Sequence, residues 1–486
     1  MSLFSQRLFV VCNVIKLFKM KNLFALFSVF ILLTACVSND VNVSCTITYP
    51  SISELVTSPD FKVKANGQEI WTEKVGAGGY EDRVPQDPDK KFIADAMEDL
   101  NIANFSCEGK QQITITASET IQNYQIHPKR KNIEAKVNGN TLTFSIDGPQ
   151  NLYVEINALP HLAIFANPLE ENIPSPETPG VVYYAPGMHE VGEITLQSNQ
   201  TIYIAGGAVV NANIRGADLE NVKILGRGSL NGNMRINTSK NVEVNGIIMR
   251  STRGWTNTLT DCYKAVYDNV KVFSYLGVYS LDGINPVCCK NVVINNCFIR
   301  TRDDCIAIKS PSRVANIHTD SISVTNCLLV GWQYADGVTL GFELQGGYVK
   351  DVFVRDCDIV RARGGGRTGG HSAFSIVCDG PSEVFNICFE NIHITSDIEY
   401  KNLEIIITDG TLYGKGGIGH VNGVYMKDIY WENASKPFVI QGYNDLHNVE
   451  NIVFWNCYVG GKLLTKPEDA NFQIEFARQI IFIPKR

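Results

Sequence analysis

The sequence predicts an all-β protein, a parallel β-helix preceded by a small β-sandwich. At 486 residues the chain is too long for one ordinary core, which favours two domains or one elongated repeat domain beside a smaller one. Glycine is abundant, with 40 residues, and long helical periodicity is scarce. Short runs of alternating apolar residues recur through the second half of the chain at intervals of about 20 to 36 residues, which is typical of a solenoid.

The first residues have the character of an export signal. Lys16, Lys19 and Lys21 precede the apolar run NLFALFSVFILLTAC, which ends at Cys36. A basic start, a short apolar segment and small residues before a cysteine are typical of a bacterial lipoprotein signal. We expect residues 1–35 to be removed and Cys36 to be lipidated, which would make the protein an exported cell-envelope lipoprotein. An uncleaved anchor helix is the alternative.

Residues 36–175 are predicted to form the β-sandwich. The segments QQITITAS, TLTFSID and NLYVEIN alternate apolar and polar residues and are separated by turn residues. The proline-rich stretch IPSPETPG, at 173–180, is typical of a boundary. Residues 176–486 are therefore assigned to the β-helix.

A repeated motif carries the β-helix prediction. Each instance starts with Asn, Asp or Ser, continues with alternating apolar residues, and often ends in Cys. Such a coil cannot bury its apolar side alone, so coils stack and each strand pairs with the next. The instances are NVKILG (221), NVEVNG (241), NVKVFS (269), NVVINNC (291), SISVTNC (321), DVFVRDC (351), NICFENI (386) and NIVFWNC (451).

The 14 cysteines of an exported chain suggest disulfides. However, Cys297, Cys327, Cys357 and Cys457 occupy equivalent positions at the ends of repeats. Because free cysteine packs as a small hydrophobic residue, the sequence predicts stacked core cysteines. A bridge between the two cysteines of the sandwich, Cys45 and Cys107, stays open.

The stretch TRDDCIAIKS brings two adjacent carboxylates, Asp303 and Asp304, to the start of an apolar run. Asp304 lies 13 residues after Asn291, and Asp282 lies 13 residues after Asn269. Equivalent positions on successive coils stack at strand spacing, so Asp282 and Asp304 are expected one above the other. Asp336 would extend this column on the next coil.

Clustered carboxylates raise at least one pKa toward neutrality, so that one group holds a proton while its neighbours stay ionised. This is the arrangement that glycosidic bond hydrolysis requires, with an acid on the leaving oxygen and a base on water. The alternatives are turn aspartates without a catalytic role and a calcium site. A chain with 50 acidic and 43 basic residues does not favour nucleic acid as a partner.

The motifs SLDGIN and TRDDCIAIKS resemble the paired signatures of the polygalacturonase-type (family 28) glycoside hydrolases, which are right-handed parallel β-helices. The resemblance extends to RSTRGW, with Trp255, and to DGVTLGFELQGG. FANPLEENIP, VVYYAPGMH and TIYIAGGAVV are similar to the sandwich and junction of dextranases and isopullulanases (family 49). The resemblance implies inverting hydrolysis without a cofactor, with Asp303 as proton donor and Asp282 and Asp304 activating water.

The sequence departs from family 28 at positions that bear on the substrate. Ser280 replaces the asparagine of the first signature, and Asp336 replaces a histidine. Ser375 and Val377 stand where the family has an Arg-x-Lys pair that binds the galacturonate carboxylate. Because a neutral pair makes no charge-assisted bond to an anionic sugar, we expect a neutral or differently charged glycan instead of pectin.

Three alternatives remain at this point: a polygalacturonase with altered carboxylate recognition, a polysaccharide lyase, and a non-catalytic glycan-binding β-helix. The aromatic candidates for stacking on sugar rings are Trp332 and Tyr334. The loop RARGGGRTGGH could supply compensating charge through Arg361, Arg363 or Arg367, and His371 could replace the missing histidine. The full set of candidate substrate-binding residues is Lys309, Asp336, Trp332, Tyr334, Arg302, Glu343, Arg363 and His371.

Overall fold

The structure is a computed structural model. It describes residues 44–75, 99–251, 254–274, 280–310, 318–333, 335–363, 372–398, 400–411, 413–414 and 416–484. The expected signal segment, Cys36, Tyr334, Arg367 and His371 lie outside these residues. No helix within the described ranges is long and apolar enough to cross a membrane.

Eleven strands at the start of the described chain form two facing sheets, one ordered β1-β5-β11-β10-β7 with β4 beside β5, the other β3-β2-β6-β9-β8. All their pairings are antiparallel except β5 with β11. A 3-10 turn, Lys129–Lys131, follows β7. The strands are β1 (Cys45–Thr48), β2 (Phe61–Ala65), β3 (Gln68–Ile70), β4 (Thr72–Val75), β5 (Leu100–Glu108), β6 (Gln111–Ala117), β7 (Tyr124–His127), β8 (Ala135–Asn138), β9 (Thr141–Ile146), β10 (Gln150–Ile156) and β11 (Leu162–Pro168).

The next 31 strands form one continuous sheet that coils into three stacks of parallel strands, which confirms the predicted parallel β-helix. Stack 1 contains β12 (Val181–Tyr184), β14 (Thr201–Ile204), β16 (Glu220–Gly226), β19 (Lys240–Asn245), β22 (Tyr263–Asp268), β25 (Lys290–Asn295), β28 (Thr319–Thr325), β31 (Tyr348–Arg355), β34 (Glu383–Ile398), β36 (His420–Trp431), β38 (Val449–Trp455) and β42 (Ala477–Ile483). The later parts of β34 and β36 continue into stack 2.

The other two stacks complete each coil. Stack 2 contains β15 (Ala208–Ala217), β17 (Ser229–Asn231), β20 (Ile248–Ser251), β23 (Lys271–Ser274), β26 (Phe298–Thr301), β29 (Leu328–Gln333), β32 (Asp358–Arg363) and β39 (Tyr458–Val459). Stack 3 contains β18 (Met234–Asn237), β21 (Asn257–Thr260), β24 (Ile284–Val287), β27 (Ile306–Ile308), β30 (Val338–Leu340), β33 (Ser372–Cys378), β35 (Lys401–Ile407), β37 (Phe438–Gln441) and β41 (Phe472–Glu475). The strands β13 (Gly187–Thr195) and β15 both begin in stack 2 and end in stack 3. The short β40 (Lys462–Leu463) pairs antiparallel with β39, and a 3-10 turn, Pro467–Asp469, follows it.

The repeated motif owes its first residue to backbone geometry. Asn221, Asn241 and Asn291 all have a φ of 57°, in the left-handed region that asparagine tolerates better than most residues. The side chains of Asn221 and Asn241 also stack, because the Asn241 amide donates to Asn221 Oδ1 at 2.9 Å and the Asn221 amide donates to Asn199 Oδ1 at 2.9 Å. At these three residues the signature marks the corner at which the chain enters stack 1.

Strand register corrects one repeat of the sequence analysis. Val292 pairs with Ile322, which pairs with Val352, so the 30-residue spacing is confirmed there. The segment at 269 is not equivalent to the one at 291. Ala265 pairs with Val292 in stack 1, whereas residue 269 precedes β23, whose Lys271 pairs with Phe298 in stack 2. Both corners of the coil favour asparagine, and this similarity made the two segments look alike.

The cysteines pack as predicted. Cys297, Cys327 and Cys357 are buried without disulfides, and each thiol donates to a main-chain carbonyl of the preceding coil. The Cys45–Cys107 bridge does not form, since both thiols are free. Cys107 pairs with Thr46 in the ladder, so Cys45 and Cys107 point to opposite faces of the sheet.

The sandwich packs on the outer face of stack 2. Tyr153 and Phe165 contact Phe298, with ring centroids 6.1 and 5.1 Å away. A buried ion pair crosses the same contact, where the Arg250 guanidinium donates two bonds of 2.6 Å to the Glu73 carboxylate. Stack 2 is thereby covered, and the corner between stacks 2 and 3 carries the polar cluster described next.

Candidate active site

The predicted carboxylates lie on successive coils, immediately before the strands of stack 3. Ile284 pairs with Ile306, and Ile306 pairs with Val338. Counting two residues back along each strand places Asp282, Asp304 and Asp336 in one column. The expected stacking of the first two is therefore confirmed, although the repeat used to derive it was wrong. The turn before β27 is five residues shorter than the turn before β24, and this difference compensates for the misassigned repeat.

Glycine follows Asp282 and Asp336 because the coils approach closely there. A Cβ on Gly283 would lie 2.4 Å from the Cys305 carbonyl, and one on Gly337 would lie 2.7 Å from the Ala373 carbonyl. The main chain is bonded tightly at the same point, where the Gly283 N–H donates to the Asp304 carbonyl at 2.9 Å. The glycines thus allow the close main-chain approach that sets the spacing between the carboxylates of successive coils.

Asp303 points away from this column. Its Oδ2 accepts the Ser280 N–H at 2.8 Å, and its Oδ1 accepts the Asp304 N–H at 3.1 Å. Asp282 and Asp304 are almost completely buried, whereas Asp303 is partly exposed. Asp303 is therefore the most exposed carboxylate of the three.

Asp282 is a buried carboxyl whose pKa is strongly raised. Burial raises its pKa to about 7, and the neighbouring Asp303 charge acts in the same direction. Lys309, at 3.7 Å, and the Asn285 amide, which donates to Asp282 Oδ2 at 2.6 Å, oppose the rise in the pKa without cancelling it. The cluster therefore retains a proton at near-neutral pH.

Lys309 is enclosed by opposite charge and an aromatic ring. Its ammonium donates to Glu343 Oε2 at 2.6 Å and lies 4.6 Å from the centre of the Trp255 ring. Burial opposes its charge, but Asp282 and Glu343 raise its pKa above the ordinary value. The lysine is thus a permanent cation beside the acids.

Asp336 is held by the next coil. Its Oδ1 accepts the Ser372 N–H at 2.7 Å, and its Oδ2 accepts the hydroxyl of Ser375. Its own N–H donates to Asp304 Oδ1 at 3.0 Å. Asp336 is fully buried and orients Asp304 through the main chain, which differs from the expected direct contact with substrate.

Trp332 does not present its ring to a substrate. The residue is 6% exposed, and the guanidinium carbons of Arg361 and Arg300 lie 4.1 and 5.6 Å from its ring centre. The sugar-stacking role expected of Trp332 is therefore wrong. Arg302 is buried beside Asp303, and its N–H donates to Ser274 Oγ at 3.0 Å. Tyr334 and His371, like the side chain of Arg363, lie outside the described residues.

Two supporting residues were missed in the sequence analysis. Asn285 bonds Asp282, and its place three residues later in SLDGIN, on the same face as the carboxylates, was the available signal. Asp379 accepts the N–H groups of Glu343 and Leu344 at 3.0 and 2.9 Å. No local motif marks Asp379, because it lies a full coil away from the turn that it holds. Within the described ranges, no group of three or more His, Cys, Asp or Glu side chains is arranged to hold a metal ion.

Comparison with known proteins agrees with this architecture. The family model of the glycosyl hydrolases family 28 matches residues 185–440, more than half of the chain. Dex49A from Penicillium minioluteum superposes with a TM-score of 0.63 at 13% identity, covering 92% of this chain and 100% of that one. A hyperthermoactive exopolygalacturonase from Thermotoga maritima gives 0.52 at 18% identity, covering 63% and 84%.

The two structural likenesses establish the fold, and the family model establishes the relationship. A search of curated proteins finds none that matches the chain. The glycan-binding and lyase alternatives yield to the hydrolase interpretation, since the matched family consists of glycosyl hydrolases. This chain therefore belongs to the glycosyl hydrolases of family 28 and is a glycoside hydrolase.

Proposed function

We propose that the protein cleaves a neutral polysaccharide, or its oligosaccharides, by single displacement with inversion. The observation that carries this proposal is the charge of the cleft. Asp282 and Glu343 lie 3.7 and 2.6 Å from the ammonium of Lys309, which is thereby already paired, and Asp303 and Asp304 add two further carboxylates to the cluster. An anionic sugar would enter a cleft of its own sign, whereas the hydroxyls of a neutral sugar bond well to carboxylates.

Ser375 and Val377, which stand where the family signature has its uronate-binding Arg-x-Lys pair, also favour a neutral substrate. Ser375 and Val377 are both buried. The Ser375 hydroxyl is engaged by Asp336 and by Thr339, whose Oγ1 lies 2.7 Å away. Neither side chain carries a charge, and the one hydroxyl present is satisfied within the protein. A substrate carboxylate would lose its hydration there without gaining a cation.

The proposed mechanism divides the work among the three aspartates. Asp303, the most exposed, donates the proton to the leaving oxygen, and Asp282 and Asp304 hold and activate the water on the other side of the sugar. The Asp303 charge contributes to the raised pKa of Asp282, so in this mechanism the proton that the cluster retains is passed to Asp303 before it reaches the leaving oxygen. Asn285 and the Asp336 N–H keep the two water-activating carboxylates in place.

The test is a substrate screen. Neutral α-glucans, galactans and polygalacturonate are incubated with the wild type, Asp303→Asn and Asp304→Asn, and released reducing sugar is measured. We expect a neutral glycan to be the best substrate and each variant to lose about 100-fold to 10,000-fold in kcat. Asp147→Asn, at an exposed carboxylate of the sandwich, is the matched control.

Two results would count against the proposal. If polygalacturonate is the best substrate, the neutral preference is wrong. If the first anomer seen by NMR retains the configuration of the substrate, single displacement is wrong. An unsaturated product, detected by its absorbance, would instead identify a lyase.

We also propose that the protein is exported and lipidated at Cys36, on the strength of the signal-like sequence that precedes it. Expression with labelled fatty acid tests this. The wild type should incorporate label, and Cys36→Ala should not. Equal incorporation by both would rule out this anchor.

A further inference from the structure

Lys309 lies at the end of β27 as a buried cation with a carboxylate partner at hand. It is 4% exposed, and its ammonium makes a 2.6 Å bond to Glu343. Glu343 itself is about one quarter exposed, at 24% of its side chain. The carboxylate of Glu343 therefore stands between the buried lysine and solvent.

The fold holds Glu343 in this place. Its φ of 63° is in the left-handed region, which is unfavourable for a residue with a side chain. The Asp379 carboxylate fixes the turn by accepting two successive N–H groups, from Glu343 and Leu344. Ser310, the residue after the lysine, donates its N–H to the Glu343 carbonyl at 3.3 Å. The lysine and the glutamate are thus tied to each other by main chain as well as by charge.

The position matters because Lys309 lies directly beside the reacting groups. Its ammonium is 3.7 Å from Asp282 Oδ2. A sugar bound over Asp282 would place its substituents within reach of this cation. A carboxylate on that sugar would pair with Lys309 if the place were open, since charge-assisted bonds of this kind are the strongest in such a site.

We propose that Glu343 is a specificity-determining residue whose carboxylate takes the place that the carboxylate of an anionic sugar would occupy on Lys309. This inference rests on the proposed preference for neutral glycans and gives it a structural cause. Glu343 satisfies the buried cation permanently. It also repels a second carboxylate that approaches the same ammonium.

The test compares the wild type with Glu343→Gln on polygalacturonate and on the best neutral glycan. We expect the ratio of kcat/KM for the uronate to kcat/KM for the neutral glycan to rise about tenfold or more, the worth of one bond to a charged group. Glu343→Asp, which keeps the charge, should return the ratio toward wild type. Glu193→Gln, at an exposed glutamate of stack 3, is the control and should leave the ratio unchanged.

A second readout does not depend on turnover. Glu343→Ala leaves Lys309 without this carboxylate, and added acetate should bind beside it and raise the Tm of the variant more than that of the wild type or of Glu193→Ala. Equal responses to acetate would overturn the proposal, as would an unchanged ratio in a folded Glu343→Gln enzyme. If the wild type itself prefers polygalacturonate, it is the proposed function that fails. If the wild type prefers a neutral glycan and the ratio does not move, only the role of Glu343 fails.

Discussion

Replacing Asp282 by Asn should make the protein more stable at alkaline pH while it destroys activity. The carboxyl is buried, and its pKa in the folded protein rises from 3.8 to about 7. A group whose pKa is higher in the folded state binds its proton more tightly there. The wild type therefore loses stability as pH rises from about 4 to about 7, and the loss is complete above pH 7.

The magnitude follows from linkage. At about 1.4 kcal/mol per pKa unit, the rise from 3.8 to about 7 corresponds to roughly 4 kcal/mol. Asn resembles the protonated carboxyl in shape and charge and does not titrate. The free energy of unfolding of Asp282→Asn minus that of the wild type should thus increase by about 4 kcal/mol between pH 4 and pH 8.

Denaturant titrations at pH 4, 5, 6, 7 and 8, followed by tryptophan fluorescence, would measure this difference. Asp147→Asn serves as the control, because its carboxylate is exposed on the sandwich and the substitution should give a difference that does not vary with pH in this way. A difference that stays constant from pH 4 to pH 8, or that decreases, would refute the argument. It would mean that Lys309 and Asn285 compensate the buried charge fully.

The remaining predictions concern rate, interface and thiols. Because the carboxylate pair must keep one proton, kcat/KM should fall about tenfold per pH unit above pH 7, and a profile that rises through pH 7 would contradict this. Arg250→Met leaves Glu73 buried without its partner and should cost about 3–5 kcal/mol in denaturant unfolding; Arg478→Met, at an exposed pair, should cost less than about 1 kcal/mol. Among the described cysteines, a thiol reagent should label only Cys45 and Cys388 before unfolding, and rapid labelling of the buried thiols would show that the core opens readily.

The motif spacing predicted the β-helix well because each coil repeats the same physical requirements. Left-handed corners select asparagine, and inward positions select Val, Ile and Cys. The same regularity caused the error at residue 269. Two different corners of one coil both accept asparagine, and local sequence does not distinguish them.

The part of the candidate site that lies within the two motifs SLDGIN and TRDDCIAIKS was predictable from the sequence. Asp282, Asp303 and Asp304 converge, and Lys309 joins them, as the two signatures implied. The sugar-stacking role expected of Trp332 was wrong, because the direction of its ring is set by its position in the strand and not by its closeness to the acidic motif along the chain. The ring lies beside the guanidinium groups of Arg300 and Arg361. Asp336 kept its place in the column but turned its carboxylate to Ser372 and Ser375 on the next coil.

Sequence alone determined the class of fold and predicted that the three aspartates lie together, because both follow from periodicity and from residues close together along the chain. Tertiary structure decided the burial of the carboxylates and the charges that surround them. Burial sets the pKa of Asp282, and the pairing of Lys309 with Glu343 sets the charge that a sugar meets. Both depend on which residues successive coils bring within a few ångströms. Paired residues around the site lie 22, 32 and 36 residues apart along the chain, and this unequal spacing hides their proximity from the sequence.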